Sequence, residues 1–270
     1  MGRVAVRFAY DGSRFMGSQR QPRERTAESE LLSALMRAGA ITSADDNRFR
    51  VASRTDRGVS ALGNVFAVST EFRRDELLAA INASCHDVHC YALAEVADDF
   101  SPRRAKGRWY RYHLPYRGQD LQLMSECALE FEGEHEFRSF CKPDGKVTRR
   151  RLESVEVRRD GGPIIIDLRA REFLRNMVRR IVSALDQVGM GKASLVEVRA
   201  ALNGQGGCFG LAEPEGLFLM EVEHDLEWMY PRTGPMAARV DEEAHRAQVR
   251  HLFFRELQEK TGLASSSSGK

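Results

Sequence analysis

Val51-Ala52-Ser53-Arg54-Thr55-Asp56-Arg57-Gly58-Val59-Ser60-Ala61-Leu62-Gly63-Asn64-Val65-Phe66 is the stretch around which the chain is organised. Val51 precedes its polar centre, and Val65, Phe66 and Val68 follow it, so β-branched and aromatic residues predict strands entering and leaving a turn. In the turn Asp56 stands between two guanidinium-bearing residues, Arg54 and Arg57. Gly58 beside them lets the backbone turn sharply or approach a ligand closely. One acid on a loop between strands is either a structural ion pair or a catalytic carboxylate, and residue types alone favour the ion pair, because loops carry many of them.

Upstream, Arg3 to Tyr10 alternates with Val4, Val6 and Phe8 on one face, the period of a half-buried strand. Asp11-Gly12-Ser13 breaks it, and a polar and aromatic loop through Gln21 leads to a helix from Thr26 to about Ala38. Thr26 and Ser29 can cap that helix, and Leu31, Leu32, Leu35 and Met36 form its apolar stripe. Strands are expected at Arg48 to Ala52, Gly63 to Thr70 and Val88 to Val96, with a helix at Asp75 to Ala83. The resulting order, β-α-β-β-α-β, packs two helices on one face of an antiparallel sheet.

Beyond Pro102 a second α+β half begins. Strands are expected at Arg108 to Leu114, Leu152 to Arg158, Ile164 to Ala170 and Gly216 to Val222, the middle two joined as a hairpin at Gly161-Gly162. Helical spacing runs from Phe173 to Val188 and again from Ser194 to Leu202. From Pro231 the composition changes to a helix with Val240, Ala244, Ala247, Leu252, Phe253 and Leu257 on one face, and Ser265 to Lys270 reads as a disordered tail. The expected organisation is an N-terminal α+β unit over 1–104, a C-terminal one over 105–230 and an appended helix and tail over 231–270.

Length, 42% hydrophobic and 30% charged residues fit a globular chain with a substantial core. No stretch approaches the roughly 18 apolar residues of a membrane span, and the N-terminus lacks a secretory apolar run, so a cytoplasmic protein is expected. Five cysteines without a CxxC fit reduced thiols rather than a disulfide framework. Cys85-His86-Asp87-Val88-His89-Cys90 has ligand-type side chains, but adjacent ones point to opposite sides of a strand and no second half-site follows, which argues against a metal. The glycines at 204–210 lack the Lys and Ser/Thr of a phosphate-binding loop. Arg103, Arg104, Lys106, Arg108 and Arg111 interleave with Trp109, Tyr110 and Tyr112, a pattern that suits RNA phosphates and one stacked base, or else a charge-guarded edge strand.

In order and spacing these pieces resemble the TruA family of tRNA pseudouridine synthases over about residues 3–225. The resemblance rests on Tyr10-Asp11-Gly12 with Gly17 and Gln19-Arg20-Gln21, on Arg54-Thr55-Asp56 with Gly58-Val59, and on Asp99-Phe100 with Tyr110-Arg111-Tyr112. Phe173 with Met177-Val178-Arg179, then Glu215-Gly216-Leu217, complete it. Ser18, Arg57 and Ser60 depart from the Trp, Ala and His general in bacterial members, and the form RTDRGVSA is closer to non-bacterial ones.

The resemblance implies two α+β halves sharing a continuous antiparallel sheet, helices on one face and the active site in the cleft between the halves. It implies a cofactor-independent isomerisation of uridine to pseudouridine in tRNA, around positions 38 to 40 of the anticodon stem-loop, by a homodimer. Asp56 would be the catalytic acid, Arg179 its partner and Tyr110 the ring that stacks on the target uracil. Arg54, Gln19, Arg20, Arg108 and Arg111 would bind the RNA. Another tRNA position or another RNA, or a tRNA-binding protein that has lost turnover, are the alternatives.

Overall fold

The computed structural model describes residues 1–145 and 147–262; the expected tail from Ser265 to Lys270 lies outside them. In chain order the first half comprises β1 (Gly2–Tyr10), α1 (Ala27–Arg37), β2 (Arg50–Val51), β3 (Ser60–Thr70), α2 (Arg74–Ser84) and β4 (Val88–Val96). The second comprises β5 (Gly107–Leu114), α3 (Leu121–Leu129), β6 (Gly133–Glu136), β7 (Arg149–Arg159), β8 (Ile164–Ala170), α4 (Met177–Gly189), α5 (Leu195–Leu202) and β9 (Leu217–Glu223). A long helix, α6 (Met236–Thr261), follows.

The strands form one sheet in the order β4-β1-β3-β9-β5-β8-β7-β6, with β2 added beside β3. Every pair is antiparallel except β3 with β9, the pair that joins the halves. That parallel contact is short, matching Ser60 with Phe218 and Ala61 with Leu219. It falls at the first residues of β3, immediately after the Arg54-to-Gly58 turn. The topology therefore sets the acidic turn at the seam of the two halves.

Sequence period explains the packing. Val4, Val6 and Phe8 of β1 are buried with Phe66 of β3 and with Leu31, Leu32 and Leu35 of α1. Thr26 and Ser29, the two cap candidates, together form a capping box, each side chain bonding the other's backbone N–H. In the second half Ile166 and Leu168 of β8 are buried with Val178, Ile181, Val182 and Leu185 of α4. On the other face of the sheet Arg7 and Glu221 pair across the seam at 2.6 Å. The chain after β9 crosses back to the first half, where Trp228 lies under Arg7 and Met229 exchanges two hydrogen bonds with Leu93 of β4.

Three expectations change. The helix expected from Phe173 begins at Met177, because Asn176 adopts a left-handed conformation with φ 63° and turns the preceding segment out of the helix. α3 and β6 form between Leu114 and Leu152, where no element was expected, and α3 is capped by the Asp120 carboxylate, which accepts from the backbone of Gln122 and Leu123. α6 forms as expected, but its apolar positions face solvent: Phe253 is 61% exposed and no described residue of the helix is buried. Among the described residues its first half is tied down, by Arg239 donating to the Asn82 carbonyl at 2.6 Å and Arg14 pairing with Glu243 at 3.2 Å.

Candidate active site

The acidic turn is held from below by the loop after β1. Ser18 Oγ accepts from the Thr55 backbone N–H at 2.7 Å, the Ser18 N–H donates to the Thr55 carbonyl at 3.1 Å, and Tyr10 Oη lies 2.8 Å from Thr55 Oγ1. Burial pushes the Tyr10 phenol up to about 12, so it remains a neutral hydrogen-bonding group. Ser60 Oγ accepts from the Gly12 N–H at 3.0 Å. Ser18 and Ser60, two of the departures noted above, are thus working parts of the loop's anchorage. Gly58 has φ 84°, and a Cβ there would lie 2.9 Å from Pro214 Cγ, so the turn packs directly on the residues that lead into β9.

Asp56 emerges from this anchorage 32% exposed and meets two cations of the second half. Arg179 Nη1 is 3.8 Å from Oδ2, and Arg175 Nε is 4.0 Å from Oδ1. Arg179 is only 12% exposed and is fixed through its Nε, which donates to the Ala212 carbonyl at 2.7 Å. Both guanidinium groups stand beyond direct hydrogen-bond range, so they orient the carboxylate electrostatically while its oxygens remain open to a reactant. From sequence Arg175 reads, with Arg179 and Arg180, as an arginine opposite the apolar face of a helix, where most such residues line a surface. Its spacing of four from Arg179 was visible, but the backbone reversal at Asn176 that brings it to Asp56 was not.

Tyr110 lies near Tyr10 and Asp56. Its ring meets Phe173 edge-on at 5.1 Å, and at 7% exposure it offers only a margin to a ligand. Burial, with the neighbouring Tyr10 second, raises its phenol far above the ordinary range. The hydroxyl has no hydrogen-bond partner among the described residues. Phe173 reaches Tyr110 because it precedes α4 instead of belonging to it.

The expected RNA-binding residues divide. Arg54, Gln19 and Arg20 are exposed beside the turn and line one cavity. Arg108 is half-buried and its donors are engaged: Nε donates to Ser53 Oγ at 3.0 Å, Nη2 to the Arg103 carbonyl at 3.1 Å and Nη1 to the Arg171 carbonyl. It ties the segment before the acidic turn to β5 and to the loop after β8. Arg111 falls on the wrong face. Strand alternation turns it with Trp109 away from Tyr110, and its guanidinium and the Trp109 indole both donate to Asp167. Arg57 is exposed and has no partner among the described residues.

In the ligand-type run, Cys85 and Cys90 are buried, whereas His86 is exposed and Asp87 pairs with Arg25 at 2.6 Å. Among the described residues no three His, Cys, Asp or Glu side chains gather to hold a metal. No described helix is long and apolar enough to cross a membrane.

A relative from Pyrococcus abyssi (strain GE5 / Orsay), named tRNA pseudouridine synthase A, is 43% identical over 227 residues, which cover 83% of this chain and 85% of the relative. The chain belongs to the tRNA pseudouridine synthase A family. The sequence profile described as tRNA pseudouridine synthase matches residues 127–225. A family member from Thermococcus kodakarensis is 44% identical over 82% of this chain and 85% of its own length. One from Thermococcus onnurineus is 39% identical over 262 residues, covering 94% of this chain and 98% of its own. The family is one of isomerases. A solved Cbf5-Nop10-Gar1 complex is similar at a TM-score of 0.36 and 14% identity, over 68% of this chain and 45% of that one.

Proposed function

We propose that this chain isomerises uridine to pseudouridine in tRNA, in the anticodon stem-loop around positions 38 to 40, with Asp56 as the catalytic acid. The observation that carries the reading is the Asp56 carboxylate set at the seam between Arg179 and Arg175, with its oxygens unspent. The uracil N1–C1′ bond breaks and leaves an electron-poor C1′, which a carboxylate attacks directly or relieves by taking the C2′ proton. The freed uracil rotates and C5 bonds to C1′ as the carboxylate leaves C1′ or, on the other route, returns the proton to C2′; the C5 proton then leaves to solvent and N1 gains one. No outside oxidant or co-reactant enters this balance.

Arg179 and Arg175 orient Asp56. Tyr110 supplies an aromatic edge against the uracil once it is flipped from the stem, which offsets part of an unstacking cost of about a few kcal/mol. Arg54, Gln19 and Arg20 hold the RNA beside it. The same reading takes the enzyme as a cytoplasmic homodimer built of units 1–104 and 105–230, with 231–270 appended.

The test is tritium release from unmodified tRNA labelled at uracil C5, with modified positions then mapped at nucleotide resolution. Wild type should release tritium and Asp56→Ala should not. Release that survives the substitution removes Asp56 from the chemistry; bound tRNA without release by wild type supports a binding protein instead; product at other positions corrects the site.

A further inference from the structure

A cavity of about 150 Å³ shares Arg54 with the catalytic turn but includes none of Tyr110, Arg175 or Arg179. Four arginines line it, and each comes from a different segment: Arg20 from the loop after β1, Arg50 from β2, Arg54 from the turn and Arg103 from the link between the halves. Glu28 and Asp45 also border it, so the cations outnumber the carboxylates by two. Phe49 and Val51 give it an apolar wall. Several arginines elsewhere are neutralised by a carboxylate, as Arg7 with Glu221, Arg25 with Asp87 and Arg199 with Glu130. Here Arg20, Arg54 and Arg103 have no side-chain partner among the described residues, and Arg50 has only the Phe49 carbonyl at 2.7 Å.

Like charges drawn to one concavity from four separate segments repel one another, and an anion inside would reverse that cost. The cavity's hydroxyls are already engaged, Ser53 by Arg108 and Ser18 by Thr55, so the free donors are guanidinium forks. Such forks match the paired oxygens of a phosphate. Arg54 and Asp56 are two residues apart, so their Cα atoms lie within about 7 Å of each other. An anion on Arg54 therefore sits close to whatever reacts at Asp56.

We propose that this cavity binds one backbone phosphate of the substrate RNA, at a nucleotide neighbouring the target. The proposal rests on Asp56 being the acid of an RNA-uridine isomerase. The site sets the register of the strand: with one phosphate locked, the next uridine along falls at Asp56.

The test uses the full chain and two exposed substitutions, Arg103→Ala and Arg20→Ala, with tritium release and RNA binding measured over a range of salt. Each variant should raise KM about tenfold, the size of one charged hydrogen-bonded contact, with kcat within about twofold. Each should also reduce the slope of log K against log salt by about 0.7 to 0.9. A scan of single methylphosphonates through the stem-loop should find one position that reproduces the KM rise in wild type and adds nothing in Arg103→Ala. Unchanged KM and slope in both variants, or a methylphosphonate effect that is additive with Arg103→Ala at every position, overturns the proposal. So does loss of inhibition by inorganic phosphate in Arg103→Ala while RNA binding is unaffected, since the site would then take free phosphate. Failure of wild type to release tritium from any RNA would instead overturn the isomerase reading, and the salt slopes would still report on the cavity separately.

Discussion

Replacing Arg179 with Ala removes the less exposed of the two cations facing Asp56. At 3.8 Å the pair has a gross Coulomb energy of roughly 4 kcal/mol at an effective dielectric of about 20. Asp56 is about one-third exposed and Arg175 stays at 4.0 Å, so solvent and the second guanidinium leave about 1–2 kcal/mol of that at stake. That alone is roughly a 5- to 30-fold loss of kcat, and misdirection of the carboxylate raises the expected total to about 10²-fold. RNA binding should change less than about threefold, because Arg179 is turned to Asp56 and the Ala212 carbonyl rather than to solvent. Arg179→Lys keeps the charge but cannot hold Ala212 and face Asp56 together, so it should recover only part of the loss. Single-turnover tritium release with circular dichroism as the folding control is the assay. A folded Arg179→Ala enzyme with wild-type turnover would refute the reasoning, and so would a variant whose whole defect is in RNA affinity.

Tyr110→Phe keeps the ring and its edge contact with Phe173, so turnover should stay within about fivefold, whereas Tyr110→Ala should fall well below that; equal activities would deny the ring its place against uracil. Ser18→Ala strands the Thr55 N–H and should cost about 1–2 kcal/mol in urea unfolding, with kcat falling as the turn loosens; an unchanged unfolding midpoint counts against the clamp. His224, partly buried against Phe100, has its imidazole pushed from 6.5 down to about 4, chiefly by burial. Between those values the unfolded chain binds the extra proton, so this contribution is complete above about pH 6.5 and is lost as pH falls towards 4. The drop corresponds to about 3 kcal/mol, discounted to about 1–2 for a ring partly in solvent. His224→Gln should lose less stability than wild type between pH 7.5 and 4.5 in urea titrations; an identical fall in both would show that other groups carry it.

Much of the fold was legible because period-2 and period-3.6 patterns are local. β4 and β8 run over the residues that alternation indicates, and α1 begins after the Thr26 cap that the sequence proposes. α3 was missed because its apolar residues Leu121, Leu123, Met124 and Leu129 lie on more than one face, leaving no clean stripe. The start of α4 was misplaced because helical spacing continues through Phe173 and Leu174, while a left-handed Asn176 leaves no mark in that spacing.

The sequence by itself determined the alternating strands, the order β-α-β-β-α-β, the polar turn around Asp56 and, through its ordered motifs, the family. Only the tertiary structure decided which arginine does what. Arg108 and Arg111 look alike in sequence, yet one ties down the segment before the turn while the other is turned by the pleat onto Asp167 on the far face. Arg175, which sequence alone reads as a surface-lining arginine, faces the acid, and Arg50 and Arg103 join Arg20 and Arg54 around one cavity. The reason is physical: burial and hydrophobic period are written in neighbouring residues, whereas the partner of a long charged side chain depends on which distant segments the sheet order sets beside it.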